Sequence, residues 1–132
     1  MDIKVITKEQ ARAYSPLTLA FLGDSYYELM VRRKITLEHN MSANKLHIAA
    51  VKKVRASFQA AACEKIAELL TVEEAEIFRR GRNAGGAVPR SASPAEYRKA
   101  TALEALLGWL LLIGENTRAE ELFEVIYNSE KK

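Results

Sequence analysis

The architecture turns on Ser15-Pro16-Leu17-Thr18-Leu19-Ala20-Phe21-Leu22-Gly23-Asp24-Ser25-Tyr26-Tyr27-Glu28-Leu29-Met30-Val31. Ser15 is a good N-cap, and Pro16 suits the first helical position, where its missing N–H is not needed. Arg32, Arg33 and Lys34 follow, cations suited to a helix C-terminus, so the stretch predicts a helix from Pro16 to about Lys34. It is apolar on almost every side, the mark of a helix buried on most of its surface. Leu17, Ala20, Phe21, Asp24, Tyr27, Glu28 and Val31 recur at helical spacing, which predicts one shared face with Asp24 in its middle. A carboxylate there is costly unless it is protonated, hydrogen-bonded or bound to a cation. Gly23 costs roughly 1 kcal/mol of helix propensity relative to alanine, which close approach of another element would offset. Asp24 therefore reads either as a structural carboxylate capping a neighbouring loop or as part of a site.

A second stretch favours the site. Ser93-Pro94-Ala95-Glu96 is a capping box with proline at the first helical position. From Ala100 to Ile113 the chain is apolar apart from Glu104 and Thr101, and Gly108 lies one turn beyond Glu104 on the same face. Two helices, each with one isolated acid and a nearby glycine, can bring those acids together. Adjacent carboxylates in a dry place repel, and a hard divalent cation with oxygen ligands resolves the repulsion. Glu104 alone would also fit a buried pair with Arg or Lys; taken with Asp24, the metal reading is preferred.

These residues carry a resemblance. Phe21-Leu22-Gly23-Asp24-Ser25 resembles the core of the ribonuclease III signature, and Glu104-Ala105-Leu106-Leu107-Gly108 resembles that family's second acidic helix. Leu46-His47, Val54-Arg55-Ala56-Ser57-Phe58-Gln59-Ala60, Arg80-Gly81-Arg82-Asn83-Ala84 and Tyr97 to Gly108 extend the likeness from Leu17 to about Ile113. It is closest to the Mini-ribonuclease III branch, which lacks a double-stranded-RNA-binding domain. The resemblance implies an all-α endonuclease domain working as a symmetric homodimer, with Mg²⁺-dependent hydrolysis of double-stranded RNA to 5′-phosphate and 3′-hydroxyl ends. Asp24 and Glu104 would be the catalytic, metal-holding acids, and precursor large-subunit ribosomal RNA the substrate. The family typically carries further acids four residues before the signature aspartate and three before the second glutamate; here those positions hold Ala20 and Thr101. Such losses are expected in the branch and leave water or RNA phosphate to complete the metal's ligands. With no separate RNA-binding domain, a ribosomal protein presenting the RNA is an expected partner.

At 132 residues the chain is read as one domain, 1–132, with its core in 14–128 and partly frayed termini. Hydrophobic residues at 48% and charged residues at 28% are ordinary for a soluble protein, and a net charge of +3 does not by itself establish nucleic-acid binding. The single Cys63 excludes an internal disulfide framework, fits a reducing cytoplasm and reads as a small buried hydrophobe. The N-terminus has no signal-like apolar run, and Leu103 to Ile113 is too short to span a bilayer.

Along the rest of the chain, a short leading segment with Ile3, Val5 and Ile6 is expected to pack on the body. Ser42 predicts a long helix through roughly Ala62, with Leu46, Ala50, Val54, Ser57, Phe58 and Ala61 inward and Lys45, Lys52, Lys53, Arg55 and Gln59 on its polar faces. A shorter piece, Glu64 to Leu70, follows. Thr71-Val72-Glu73-Glu74 is a capping box opening a helix to about Arg80, and its charges have a sufficient explanation in the helix dipole. Gly81 to Ala92 reads as a long loop, and Thr117-Arg118-Ala119-Glu120 as the start of a last helix. This makes about six or seven helices and no strand.

Duplex RNA is recognised mostly through phosphates and 2′-hydroxyls. Arg82 and Asn83 are the main RNA-binding candidates, with Arg79, Arg80, Lys52, Lys53 and Arg98 behind them. Glu28, one turn beyond Asp24, is either a metal-associated acid or one partner of a salt bridge. Two rival functions remain open: a catalytically inactive ribonuclease III-like RNA-binding scaffold, motivated by Ala20 and Thr101, and a helical metal phosphohydrolase of nucleotides. The common His-Asp design of the latter is absent, since His39 precedes Asn40 and His47 precedes Ile48.

Overall fold

The computed structural model describes residues 4–130; Ile3, Lys131 and Lys132 lie outside the described residues. Seven α-helices succeed one another, with no strand among the described residues: α1 (Lys8–Arg12), α2 (Pro16–Glu38), α3 (Ala43–Val54), α4 (Ala56–Ile66), α5 (Val72–Arg82), α6 (Pro94–Leu112) and α7 (Asn116–Tyr127). A 3-10 turn, Ala67–Leu69, follows α4 in place of the separate helical piece expected from Glu64. The hub is α6, against which α2, α5 and α4 make the most extensive contacts. Its Leu103, Leu106 and Leu107 are wholly buried, as its nearly continuous apolar sequence requires.

The predicted starts of α2 and α5 form as read: Ser15 Oγ accepts from the Thr18 N–H, and Thr71 and Glu74 complete a reciprocal capping box. Ser93 caps α6 through the Glu96 N–H, but no returning bond from the Glu96 side chain closes a box. The last helix begins at Asn116, after an N-cap residue, Glu115, that makes no side-chain capping bond. The leading segment adds the unforeseen α1, with its own capping box from Thr7 and Gln10.

Three expectations are corrected. First, α2 runs on to Glu38 and buries Leu19, Ala20, Gly23, Tyr27, Met30, Val31 and Ile35. Leu17 and Phe21 instead face outward, 43% and 82% exposed. Because Gly23 must meet α6, Phe21, two residues earlier, lies about 200° around the helix from that contact. Second, the helix expected to run unbroken to Ala62 breaks at Arg55, whose extended backbone (φ −67°, ψ 152°) ends α3 and caps α4. The break resets the helical register, so Ser57 and Ala61 are exposed and Gln59, assigned to a polar face, is buried. Third, the loop after α5 begins only at Asn83, so Arg82 is helical.

Glu74 is buried, and Arg118 of α7 grips both its carboxylate oxygens at 2.9 Å. Burial alone would raise the Glu74 pKa, but the bonds from Arg118 and Thr71 outweigh it and hold the carboxyl below its ordinary range. Cys63 is buried, and burial pushes its thiol up to about 12, as suits a residue used for packing.

Candidate active site

α2 and α6 touch backbone to backbone. A Cβ on Gly23 would lie 1.6 Å from the Glu104 carbonyl oxygen, and one on Gly108 would lie 2.0 Å from the Leu19 carbonyl oxygen. Only two glycines admit this approach, and their lost helix propensity is offset by it. The crossing fixes what stands beside it: Asp24 follows Gly23, and Glu104 precedes Gly108 by one turn.

The two acids differ in surroundings. Asp24 is exposed, at the rim of the α2 face and not in the middle of a buried stripe, whereas Glu104 is half-buried. Burial first, then the Asp24 charge and a hydrogen bond shared with it, push the Glu104 carboxyl up to about 8. Gln59 works against this shift: its Nε2 donates to Glu104 Oε2 at 3.4 Å and to the Val54 carbonyl at 2.8 Å. Its Oε1 is buried without a partner among the described residues.

These residues fit a hard divalent cation. The charged donors are carboxylate oxygens, a cation would replace the proton that Glu104 otherwise keeps, and a buried acceptor stands next to them unpaired. No third His, Cys, Asp or Glu joins Asp24 and Glu104 in a metal-holding group among the described residues.

A pH dependence follows for the metal-free protein. With a folded pKa of about 8 against an ordinary 4.5, Glu104 holds a proton in the folded chain that the unfolded chain releases. Its contribution to stability is therefore complete below about pH 4.5 and is lost as pH rises through about 8. Thermal unfolding in EDTA across that window is expected to show the decline, and Glu104→Gln to flatten it.

The comparisons with known proteins bear on this crossing. The family model described as "Ribonuclease III domain" matches residues 17–115, which span both acids. The chain belongs to the ribonuclease III family. It is 43% identical to a Mini-ribonuclease 3 from Thermoanaerobacter sp. (strain X514), over 94% of this chain and 88% of that protein. It is 52% identical to one from Gloeobacter violaceus, over 78% of this chain and 76% of that one. A crystal structure of a protein from Fusobacterium nucleatum superposes with a TM-score of 0.82 at 34% identity, covering 90% of this chain and 96% of that one.

Within this ribonuclease III domain, the two positions where the family typically has further acids are turned to packing. Ala20 is buried against the core, and the buried Thr101 spends its hydroxyl on the Tyr97 carbonyl at 3.0 Å. Glu28 is half-buried, and its Oε1 accepts from Arg32 Nη2 of the same helix at 3.3 Å. Arg79, Arg82 and Asn83 are exposed together at the end of α5, while Lys52 on α3 and Arg98 on α6 are exposed elsewhere.

Two weaker candidates have structural tasks. Lys53 Nζ lies over the Phe58 and Tyr127 rings at 4.7 and 4.6 Å and donates to the Tyr127 carbonyl. Arg80 donates to the carbonyls of Arg12 and Tyr14, pinning the leading segment. Sequence reasoning missed Gln59 as a neighbour of the site. Its signal is a lone amide in the otherwise apolar run Phe58 to Cys63.

Proposed function

We propose that this ribonuclease III endoribonuclease cuts double-stranded RNA by Mg²⁺-dependent hydrolysis, with Asp24 and Glu104 holding the metal. The observation that carries the reading is the glycine-to-glycine crossing that presses a desolvated Glu104 against Asp24. A bound Mg²⁺ supplies a nucleophilic water and stabilises charge on the attacked phosphate. Glu104 would hold the ion as a carboxylate, and its burial would strengthen that contact. Asp24, which is exposed, would hold the ion from the solvent side. Water adds to phosphorus as the bond to the 3′-oxygen breaks, leaving a 5′-phosphate and a 3′-hydroxyl.

Labelled duplex RNA, single-stranded RNA and nucleotides, each incubated with Mg²⁺ or EDTA, test this directly. Cleavage of the duplex alone, and only with Mg²⁺, is expected. A duplex bound but uncut would favour the inactive scaffold, and nucleotide hydrolysis the phosphohydrolase.

The homodimer is part of the proposal. Leu17 and Phe21 form an uncovered apolar strip on the same helix face that carries Asp24 and Glu28. A second copy covering that strip would bring two acid pairs to one cleft, as cutting both strands requires. Precursor large-subunit ribosomal RNA is proposed as the substrate, on the family resemblance of the signature residues alone.

Arg82 and Asn83 are proposed to contact RNA phosphate and ribose, with Arg79, Lys52 and Arg98 as further candidates. Neither the Arg82 nor the Asn83 side chain bonds to another described residue, so replacing them leaves packing intact. Arg82→Ala with Asn83→Ala is expected to weaken duplex binding while changing stability by no more than about 0.5 kcal/mol. A large fall in Tm with unchanged RNA binding would assign them to the fold instead.

A further inference from the structure

Gln59 stands where the α3–α4 break meets Glu104. Because Arg55 is extended, the carbonyls of Lys53 and Val54 lose the helical N–H groups that would otherwise cap them. Side chains take their place: the Tyr27 hydroxyl donates to Lys53 and the Gln59 amide to Val54. Both side chains are almost wholly buried, and the Gln59 amide also reaches Glu104.

The Gln59 geometry is over-determined. A carbonyl only accepts, so the amide atom 2.8 Å from the Val54 oxygen must be the nitrogen. That nitrogen has a second hydrogen, and Glu104 Oε2 lies 3.4 Å away to receive it. Oε1 is thereby left buried with no donor. Capping Val54 accounts for one of these features and leaves the other two without a purpose.

We propose that Gln59 is a positioning residue for Glu104: braced on the Val54 carbonyl, its amide holds the carboxylate toward Asp24 and leaves Oε1 to accept from water in the site. The break at Arg55 then serves the chemistry, since a continuous helix would use the Val54 carbonyl itself and deprive the amide of its brace. The proposal rests on Asp24 and Glu104 being the metal-holding pair. Partners that orient a metal's carboxylate ligand characteristically change metal affinity or activity by about 10- to 100-fold when removed.

The test uses Gln59→Met, which keeps the side chain's length and removes both hydrogen bonds. Mn²⁺ binding to the RNA-free protein is counted by EPR, and the Mg²⁺ dependence of duplex cleavage is followed alongside. Gln59→Met is expected to weaken Mn²⁺ binding about 10-fold or more and to raise the Mg²⁺ needed for half-maximal cleavage by a similar factor. In a Glu104→Gln background it is expected to change Mn²⁺ binding no further, because the group it positions is gone.

Wild-type Mn²⁺ binding in Gln59→Met, with a lowered Tm in both backgrounds, would make Gln59 a cap of α3 and overturn the proposal. If Glu104→Gln itself leaves Mn²⁺ binding unchanged, the metal pair is wrong and the proposal falls with it. Should Gln59→Met not fold, Gln59→Asn keeps a buried amide too short to span Val54 and Glu104. The same outcomes apply to it.

Discussion

Asp24→Asn and Glu104→Gln are each expected to lower duplex cleavage by roughly 10³-fold or more while leaving the helical fold intact. Loss of a metal-holding carboxylate removes several kcal/mol of transition-state stabilisation, and each ~1.4 kcal/mol is tenfold in rate. The two differ in their effect on stability. Asp24 is exposed, so its replacement is close to neutral for folding. Glu104 is desolvated beside Asp24, so Glu104→Gln is expected to hold or raise metal-free stability, most clearly above about pH 8, where the wild-type carboxyl is ionised. Single-turnover cleavage and thermal unfolding of the same preparations check both halves. Near wild-type cutting by either variant in Mg²⁺ would overturn the site assignment.

Gly23→Ala is expected to destabilise the protein by about 3 kcal/mol, at the upper end for overpacking, and to lower Tm by on the order of 10 °C. Helix propensity alone argues for the opposite sign, since alanine is favoured over glycine by about 1 kcal/mol inside a helix. The contact decides. The new methyl group would sit 1.6 Å from the Glu104 carbonyl oxygen and 2.8 Å from the Gly108 nitrogen, so it meets backbone, which cannot rotate out of the way. The two helices must part, and Glu104 moves from Asp24 with them. Activity is therefore expected to fall further than the folded fraction does. A variant as stable as wild type would show that α2 and α6 do not meet through these glycines.

Much of this was legible because its causes are local. Ser15-Pro16 and Thr71 to Glu74 announce their helices through the bonds they go on to make, and Gly23 and Gly108 announce a close crossing. The unread parts have causes far away in the chain. No proline or glycine marks the break at Arg55; its carbonyls are satisfied by Tyr27, from another helix, and by Gln59 beyond it. The two faces of α2 are both apolar, so periodicity could not say whether Phe21 or Leu19 points into the core. The grip of Arg118 on Glu74 joins residues 44 apart, while the acids and arginines of α5 already had a sufficient local explanation. Asp24 was found by its oddity in an apolar run, although its exposure reflects the outward turn of that same run.

Anomalous diffraction from crystals grown with duplex RNA and Mn²⁺ bears most directly on the acid pair. RNA phosphate is then present to complete the metal's ligands, and Mn²⁺ marks its own position. A peak within direct bonding distance of a carboxylate oxygen of Asp24 and of one from Glu104 is expected, with the RNA phosphate beside it. A peak that touches neither acid, or Asp24 alone with Glu104 out of bonding distance, would contradict the assignment of Asp24 and Glu104 as one metal site.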